Sequence, residues 1–274
     1  MLCGCGGTNT NGTNDNTENQ SSNNNSVEKK EYTLNEYISN KETVWYLTDG
    51  YGKDDEIGQI FVIEPDGTLY YASCDWTLGE VEQKEDAEII ATVKSQYKES
   101  QTTRINNIIA LEGEEGYYGE RRGKIVTDLS TIYTPYLNDI KPAPYKLSLK
   151  SDSTGNKAEN QIIVIKEVAP LSGRESDYMP YTNAIWNLTL SYLVPYESDK
   201  GTTNCFSIYD SWFGGYKIDS YREGYNYEYF LTRLDSTVVF KLDEIGTENI
   251  GVDDANTLFD DERIKVEIKY EYFD

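Results

Sequence analysis

Residues Ile57 to Cys74 constrain the fold more than any other stretch. Two runs rich in β-branched and aromatic residues, Ile57 to Glu64 and Thr68 to Cys74, flank Pro65-Asp66-Gly67. Proline presets φ for a turn and glycine supplies a positive φ at its exit, so the stretch predicts a β-hairpin. The same grammar recurs along the chain. Tyr145 to Lys150 and Gln161 to Val168 flank a turn from Ser151 to Lys157, in which Asp152 to Asn156 carry the turn chemistry. Thr43 to Thr48, Ile105 to Glu112, Tyr117 to Val126, Ala184 to Val194, Asn204 to Tyr209, Tyr225 to Leu231 and Thr237 to Leu242 read as further strands. Near the C-terminus, Ile264, Val266, Ile268, Tyr270 and Tyr272 alternate with charged residues, which predicts one strand over Arg263 to Phe273.

One segment changes period. Thr77-Leu78-Gly79-Glu80 fits a capping box, and Ile89, Ile90, Val93 and Tyr97 follow at helical spacing. This predicts an amphipathic helix over about 78–99, interrupted near Lys84. Val27 to Asn40 reads as a short helix or lead-in, and the Pro-rich stretch Tyr133 to Pro144 as a loop. The expected fold class is therefore mainly β: an antiparallel barrel-like or sandwich architecture with one helix. It occupies 31–274 as one domain, with a possible subdivision near 135–145.

Composition narrows the chemistry. The 274 residues carry a formal net charge of −23, so a nucleic-acid backbone would be repelled by most of the surface. The chain has no histidine, which removes Ser-His-Asp and Cys-His catalysis and every His-dependent metal site. It has 24 tyrosines against 7 phenylalanines, and tyrosine suits strands whose one end is apolar and whose other end is wet.

The N-terminus reads as an address. Leu2-Cys3-Gly4-Cys5 has the order of a bacterial lipobox, in which the thiol of Cys5 would carry the lipid. The apolar segment that precedes such a box is not in the sequence, which points to a start further upstream. From Gly6 to Ser26 there is no large apolar residue and no Lys or Arg. Such a stretch cannot bury enough surface to offset its ordering entropy, so 6–30 is expected to be a disordered Asn/Thr/Ser tether after a signal remnant at 1–5. A diacylglyceryl group gains about 0.8 kcal/mol per buried CH₂, enough to anchor without a membrane-spanning helix.

The box and tether, Val44-Trp45-Tyr46 to Gly50, Lys53-Asp54, the strand-turn-strand reaching Tyr71, the Thr77 to Glu80 box, Asp152 to Asn156 and Phe230 to Arg233 together resemble secreted lipoproteins of Gram-positive bacteria of uncharacterised function. The resemblance implies a lipid-anchored, extracytoplasmic β domain and brings no catalytic residues. A lipocalin would carry glycine two residues before its first-strand Trp45, where this chain has Thr43, so a lipocalin ligand site does not follow.

Four groups are candidate sites. Cys5 is the lipidation site. Cys74 and Cys205 are either a disulfide, which an extracytoplasmic setting permits, or two free thiols. Asp49, Asp54, Asp55 and Glu56 share a Gly-containing loop that offers oxygen ligands to Ca²⁺ or is simply solvated; no other cofactor is implied. Tyr209, Trp212, Phe213 and Tyr216 either line a ligand groove or serve as core. The expected function is a membrane-anchored, non-enzymatic module for an envelope or extracellular ligand. The alternatives are a structural or adhesive surface protein and a carboxylate-based glycan hydrolase.

Overall fold

The computed structural model describes residues 30–118, 121–168, 183–192, 196–198, 201–203, 205–221, 227–235, 238–262 and 266–273. The lipobox with Cys5 and the tether up to residue 29 lie outside the described residues.

In chain order the first elements are β1 (Lys30–Thr33), α1 (Leu34–Ile38), β2 (Thr43–Thr48), β3 (Ile57–Ile63), β4 (Thr68–Ser73), α2 (Leu78–Glu82) and α3 (Asp86–Ala110). Then come β5 (Glu115–Tyr118), β6 (Arg121–Ile125), α4 (Leu129–Asn138), β7 (Ala143–Ser151), β8 (Ala158–Val168) and β9 (Asn183–Tyr192). The rest are β10 (Tyr196–Ser198), β11 (Gly201–Thr203), β12 (Cys205–Ile208), β13 (Ser211–Ser220), β14 (Tyr229–Leu234), β15 (Val238–Lys241), β16 (Gly251–Val252) and β17 (Tyr270–Tyr272).

Eight strands close a ring. Each of β2, β3, β4, β7, β8, β9, β13 and β14 pairs antiparallel with the next, and β14 pairs back onto β2. Ring order follows chain order, so this is an up-and-down barrel, and closure removes the exposed sheet edges. The mainly β, barrel-like fold read from the sequence is the fold observed. An eight-stranded barrel is just wide enough for side chains to fill it. Here Trp45, Leu47, Phe61, Tyr71, Tyr216 and Phe230 turn inward; Trp45 stacks on Phe230 with centroids 4.7 Å apart and rings 12° from parallel.

The outer wall is covered too. Val44, Tyr46, Ile60, Val62 and Ala72 lie under Leu78 and Val81 of α2 and Ile89 and Val93 of α3. That double cover explains why all six residues of β2 are buried. At one mouth, β1 pairs parallel with β15, and Leu34, Ile38, Phe240 and Leu242 cover the barrel interior. On the far wall, Ala255 and Phe259 pack on Ile162 and Val164 of β8.

The helical segment differs from the reading at 78–99. The capping box forms: Glu80 N donates to Thr77 Oγ1 at 3.3 Å and Thr77 N to Glu80 Oε2 at 2.8 Å. The expected interruption separates α2 from α3, but α3 then runs 25 residues, about 37 Å at 1.5 Å per residue. It takes in Ile105 to Ala110, which read as strand because β-branched residues cluster there. In the structure Ile105 and Ile108 extend the buried row Ile89, Val93, Tyr97, Gln101 and meet Ile125, Leu129 and Tyr133 in a second small core.

Two further expectations are corrected, and one strand carries no signal in the sequence. The first half of the Pro-rich stretch 133–144 is the end of α4, started by Asp128, whose carboxylate accepts from Thr131 N at 2.8 Å, and tolerating Pro135 within it; only 139–142 is loop before β7. β13, the strand bridging β9 and β14, falls where the sequence offers Gly214-Gly215 and no clean alternation. The C-terminal alternation gives a strand only at Tyr270–Tyr272, paired with β6; residues 263–265 lie outside the described residues. β6 ends at Ile125 and Asp128 already caps a helix, so the ladder runs out after Val126 N donates to Lys269 O at 2.9 Å. Instead Lys269 N donates to Thr127 Oγ1 at 2.6 Å.

Candidate functional site

The barrel wall has a seam. β4 and β7 share only two register pairs, Thr68 with Pro144 and Leu69 with Ala143. Pro142 and Pro144 lack the N–H that a longer ladder requires. Above the seam, Lys166 to Val168 at the end of β8 continue past the last residue that pairs with β7, Ile165. The middle of α3 and the end of α4 lie across this gap and leave a cleft of about 130 Å³; a second cleft, of about 260 Å³, lies beside β1 and α1.

The seam cleft is built from apolar walls and few polar groups. Tyr97, Ile105, Tyr136, Ile140, Pro142 and Pro144 line it, and Asp139 and Lys141 pair at 2.7 Å on its exposed rim. Two polar side chains reach it from opposite walls. Glu167, 6% exposed, comes from β8. Arg104 Nη1 lies 3.0 Å from Glu167 Oε1 and donates to Val168 O at 3.2 Å, and the Tyr71 hydroxyl donates to Glu167 Oε2. Gln101, 2% exposed, comes from α3, and neither its Oε1 nor its Nε2 has a hydrogen-bond partner. The Tyr97 hydroxyl, one turn earlier, donates to Lys141 O at 3.3 Å; burial first, with the neighbouring Tyr71 and Glu167 adding, raises its pKa.

An unpaired buried amide costs roughly 1–3 kcal/mol, so Gln101 is the least satisfied group lining this cleft. A polar residue in a helix row that otherwise reads Ile89, Val93, Tyr97, Ile105 is the signal sequence reading passed over. Glu167 gave no local signal, because only the tertiary fold brings β8 to α3.

The larger cleft, beside β1 and α1, is bonded within itself. Thr33 N donates to Glu36 Oε2 at 2.8 Å, Asn40 Nδ2 to Glu36 O at 2.7 Å, and the Tyr37 hydroxyl to Arg233 O at 3.5 Å. Burial pushes the Tyr37 hydroxyl up to about 12.

The residues singled out in the sequence do not meet in one place. No disulfide joins Cys74 and Cys205, so of the two readings of this pair the disulfide is the one corrected. Cys74 Sγ accepts from Trp76 N at 3.2 Å, and burial pushes its thiol up to about 11. In the loop holding Asp49, Asp54, Asp55 and Glu56, the Asp54 and Asp55 carboxylates and two carbonyls serve local structure. Gly52 N donates to Asp55 Oδ2 at 2.6 Å, and Asp54 pairs with Lys53 at 2.7 Å. The carbonyls of Asp55 and Lys53 accept from Leu78 N at 3.1 Å and Gly79 N at 2.8 Å, which satisfies the first turn of α2. Among the described residues no three His, Cys, Asp or Glu side chains converge as a metal site, and the Ca²⁺ reading of this loop has no gathered ligand set.

Tyr209, Trp212, Phe213 and Tyr216 divide. Tyr209 is 59% exposed and Trp212 37%. Phe213 is buried in the outer layer, stacked on Phe206 at 6.0 Å, and Tyr216 is inside the barrel with its hydroxyl donating to Lys241 O at 3.0 Å. Strand alternation sends neighbours to opposite faces, so they cannot line one groove.

Fold and cleft together define a class: an up-and-down eight-stranded barrel, filled along its axis by aromatic side chains and indented where two strands part under a long helix. The chain matches no protein-family model, no curated protein and no solved structure. Among the described residues no helix is long and apolar enough to cross a membrane.

Proposed function

We propose that this protein is an extracytoplasmic bacterial lipoprotein, anchored through lipid on Cys5, whose barrel is a non-enzymatic module that takes a small neutral ligand into the seam cleft. The single observation that carries the binding reading is Gln101, whose buried donor and acceptor both stand unmet in a concave, mostly apolar site. The anchor reading is supported by the lipobox order at Leu2 to Cys5 and the polar stretch that follows it.

A glycan hydrolase is disfavoured by the same cleft. Such an enzyme needs two carboxylates free to act as acid and base or nucleophile. Here Glu167 is engaged by Arg104 and Tyr71, and Asp139 is paired with Lys141 on the rim. An adhesive role has one observation behind it, the exposed Tyr209 and Trp212 at the β12–β13 hairpin.

Two measurements test the two halves. Feeding a clickable fatty acid to a host that expresses the full-length gene should label the wild-type protein and not Cys5→Ala; equal labelling of both, or of neither, removes the anchor. Methyl NMR of Ile105 and Ile140 should show saturable shifts with small neutral solutes, and unmoved resonances across such a panel would remove the binding cleft.

A further inference from the structure

Resting on the reading of the seam cleft as a binding site, we infer that its ligand presents a primary carboxamide or lactam edge, which pairs with Gln101 side by side. Gln101 offers one acceptor, Oε1, and one donor pair, Nε2, on the edge of a single planar group. Both atoms are buried and unpartnered. A partner satisfies both only if it carries a donor and an acceptor next to each other, as an amide with its N–H and C=O on one side does. A carboxylate accepts but cannot donate, so it leaves Oε1 unmet. An amidinium donates but cannot accept, so it leaves Nε2 unmet. Charge selects in the same direction as hydrogen bonding. The Glu167 carboxylate in the same cleft is paired with Arg104 at 3.0 Å, so an ionic ligand would lose its hydration there without meeting an unpaired charge.

The walls set the remainder of the ligand. Tyr136, Ile140 and Pro142 present apolar surface beside the amide. The volume, about 130 Å³, is close to the roughly 150 Å³ of a cavity known to admit one benzene ring. The ligand class is thus a neutral amide on a small apolar body, or the amide end of a longer molecule whose remainder leaves past the Asp139–Lys141 rim.

The test uses the 274-residue chain with methyl-labelled isoleucine and four probes of similar size: benzamide, benzoate, benzamidine and benzene. Benzamide is expected to shift the Ile105 and Ile140 methyls saturably, with affinity about tenfold or more above benzoate and benzamidine. Gln101→Met should weaken benzamide about tenfold and leave benzene unchanged. If benzene, benzoate or benzamidine occupies the cleft and benzamide binds no tighter, or if Gln101→Met leaves benzamide unaffected, the amide assignment is wrong while the cleft remains a site. If none of the four moves either methyl, the binding-site reading falls with it.

Discussion

Gln101 and Glu167 line one cleft from opposite walls, and only Glu167 is answered: Arg104 and Tyr71 hold both of its oxygens, while neither amide atom of Gln101 has a partner. The contrast separates a group that joins helix to barrel from a group that the fold leaves without a hydrogen bond.

Arg104→Leu isolates the joining role. The side chains of Arg104 and Glu167 are 23% and 5% exposed, so removing the guanidinium leaves a carboxylate in the wall without its counter-charge. Breaking such a buried pair costs about 3 kcal/mol. Urea denaturation should show that loss for Arg104→Leu, and the double variant with Glu167→Gln should recover more than half of it. Equal loss in the single and double variants would mean that Arg104 acts through packing rather than charge.

Gly79→Ala tests the docking of the acidic loop on α2. A Cβ at Gly79 would stand 2.8 Å from the Lys53 carbonyl oxygen, a backbone atom that accepts from Gly79 N. Alanine ordinarily favours a helix over glycine by roughly 1 kcal/mol. The close approach should reverse that sign, with a net loss of about 1–2 kcal/mol from overpacking. A thermal scan showing Gly79→Ala more stable than wild type would remove this account of the loop.

The folded mouth carries a pH signature. Burial first raises the pKa of Asp243, against a smaller lowering by Thr33 and Asn35, whose N–H lies 3.3 Å from Oδ2. A carboxyl whose folded pKa exceeds its unfolded one stabilises the fold in its protonated form. That contribution is full below about pH 4 and is lost as pH rises through the folded pKa. Asp243→Asn stays neutral and keeps an acceptor for Asn35. It should therefore be more stable than wild type at pH 7, with the advantage vanishing near pH 3; an advantage that grows toward low pH would contradict the assignment.

Much of the barrel was legible from short-range rules. Pro65-Asp66-Gly67 and Asp152 to Asn156 fixed two hairpins, since turn chemistry acts within four residues: Gly155 has φ of +72°, and Asp152 Oδ1 accepts from Thr154 N and Asn156 N at 3.1 Å each. The Thr77–Glu80 box formed for the same reason. What failed depended on partners far along the chain. Ile105 to Ala110 are helical because a second core waits for Ile105 and Ile108, and 266–269 of the last alternating stretch are not strand because β6 stops short of them. Cys74 and Cys205 are not joined to each other, a choice the sequence left open between a disulfide and two thiols. Of the residues around the cleft, the sequence reading marks Tyr97 as apolar in the helix row, takes most others only as parts of strands or a loop, and singles out neither Gln101 nor Glu167. The chemistry lies four residues further on, at the position that departs from that row.

The account turns on Gln101 being kept at the expense of stability, and one measurement addresses it directly: equilibrium urea unfolding of Gln101→Met beside wild type without ligand. Methionine fills nearly the same volume and needs no hydrogen bond. If the amide stands unmet in the free protein, the variant should be more stable by about 1–2 kcal/mol, with an unchanged denaturant slope. A variant less stable than wild type by that amount would mean that Gln101 serves the fold, and would contradict the assignment of the seam cleft as the binding site.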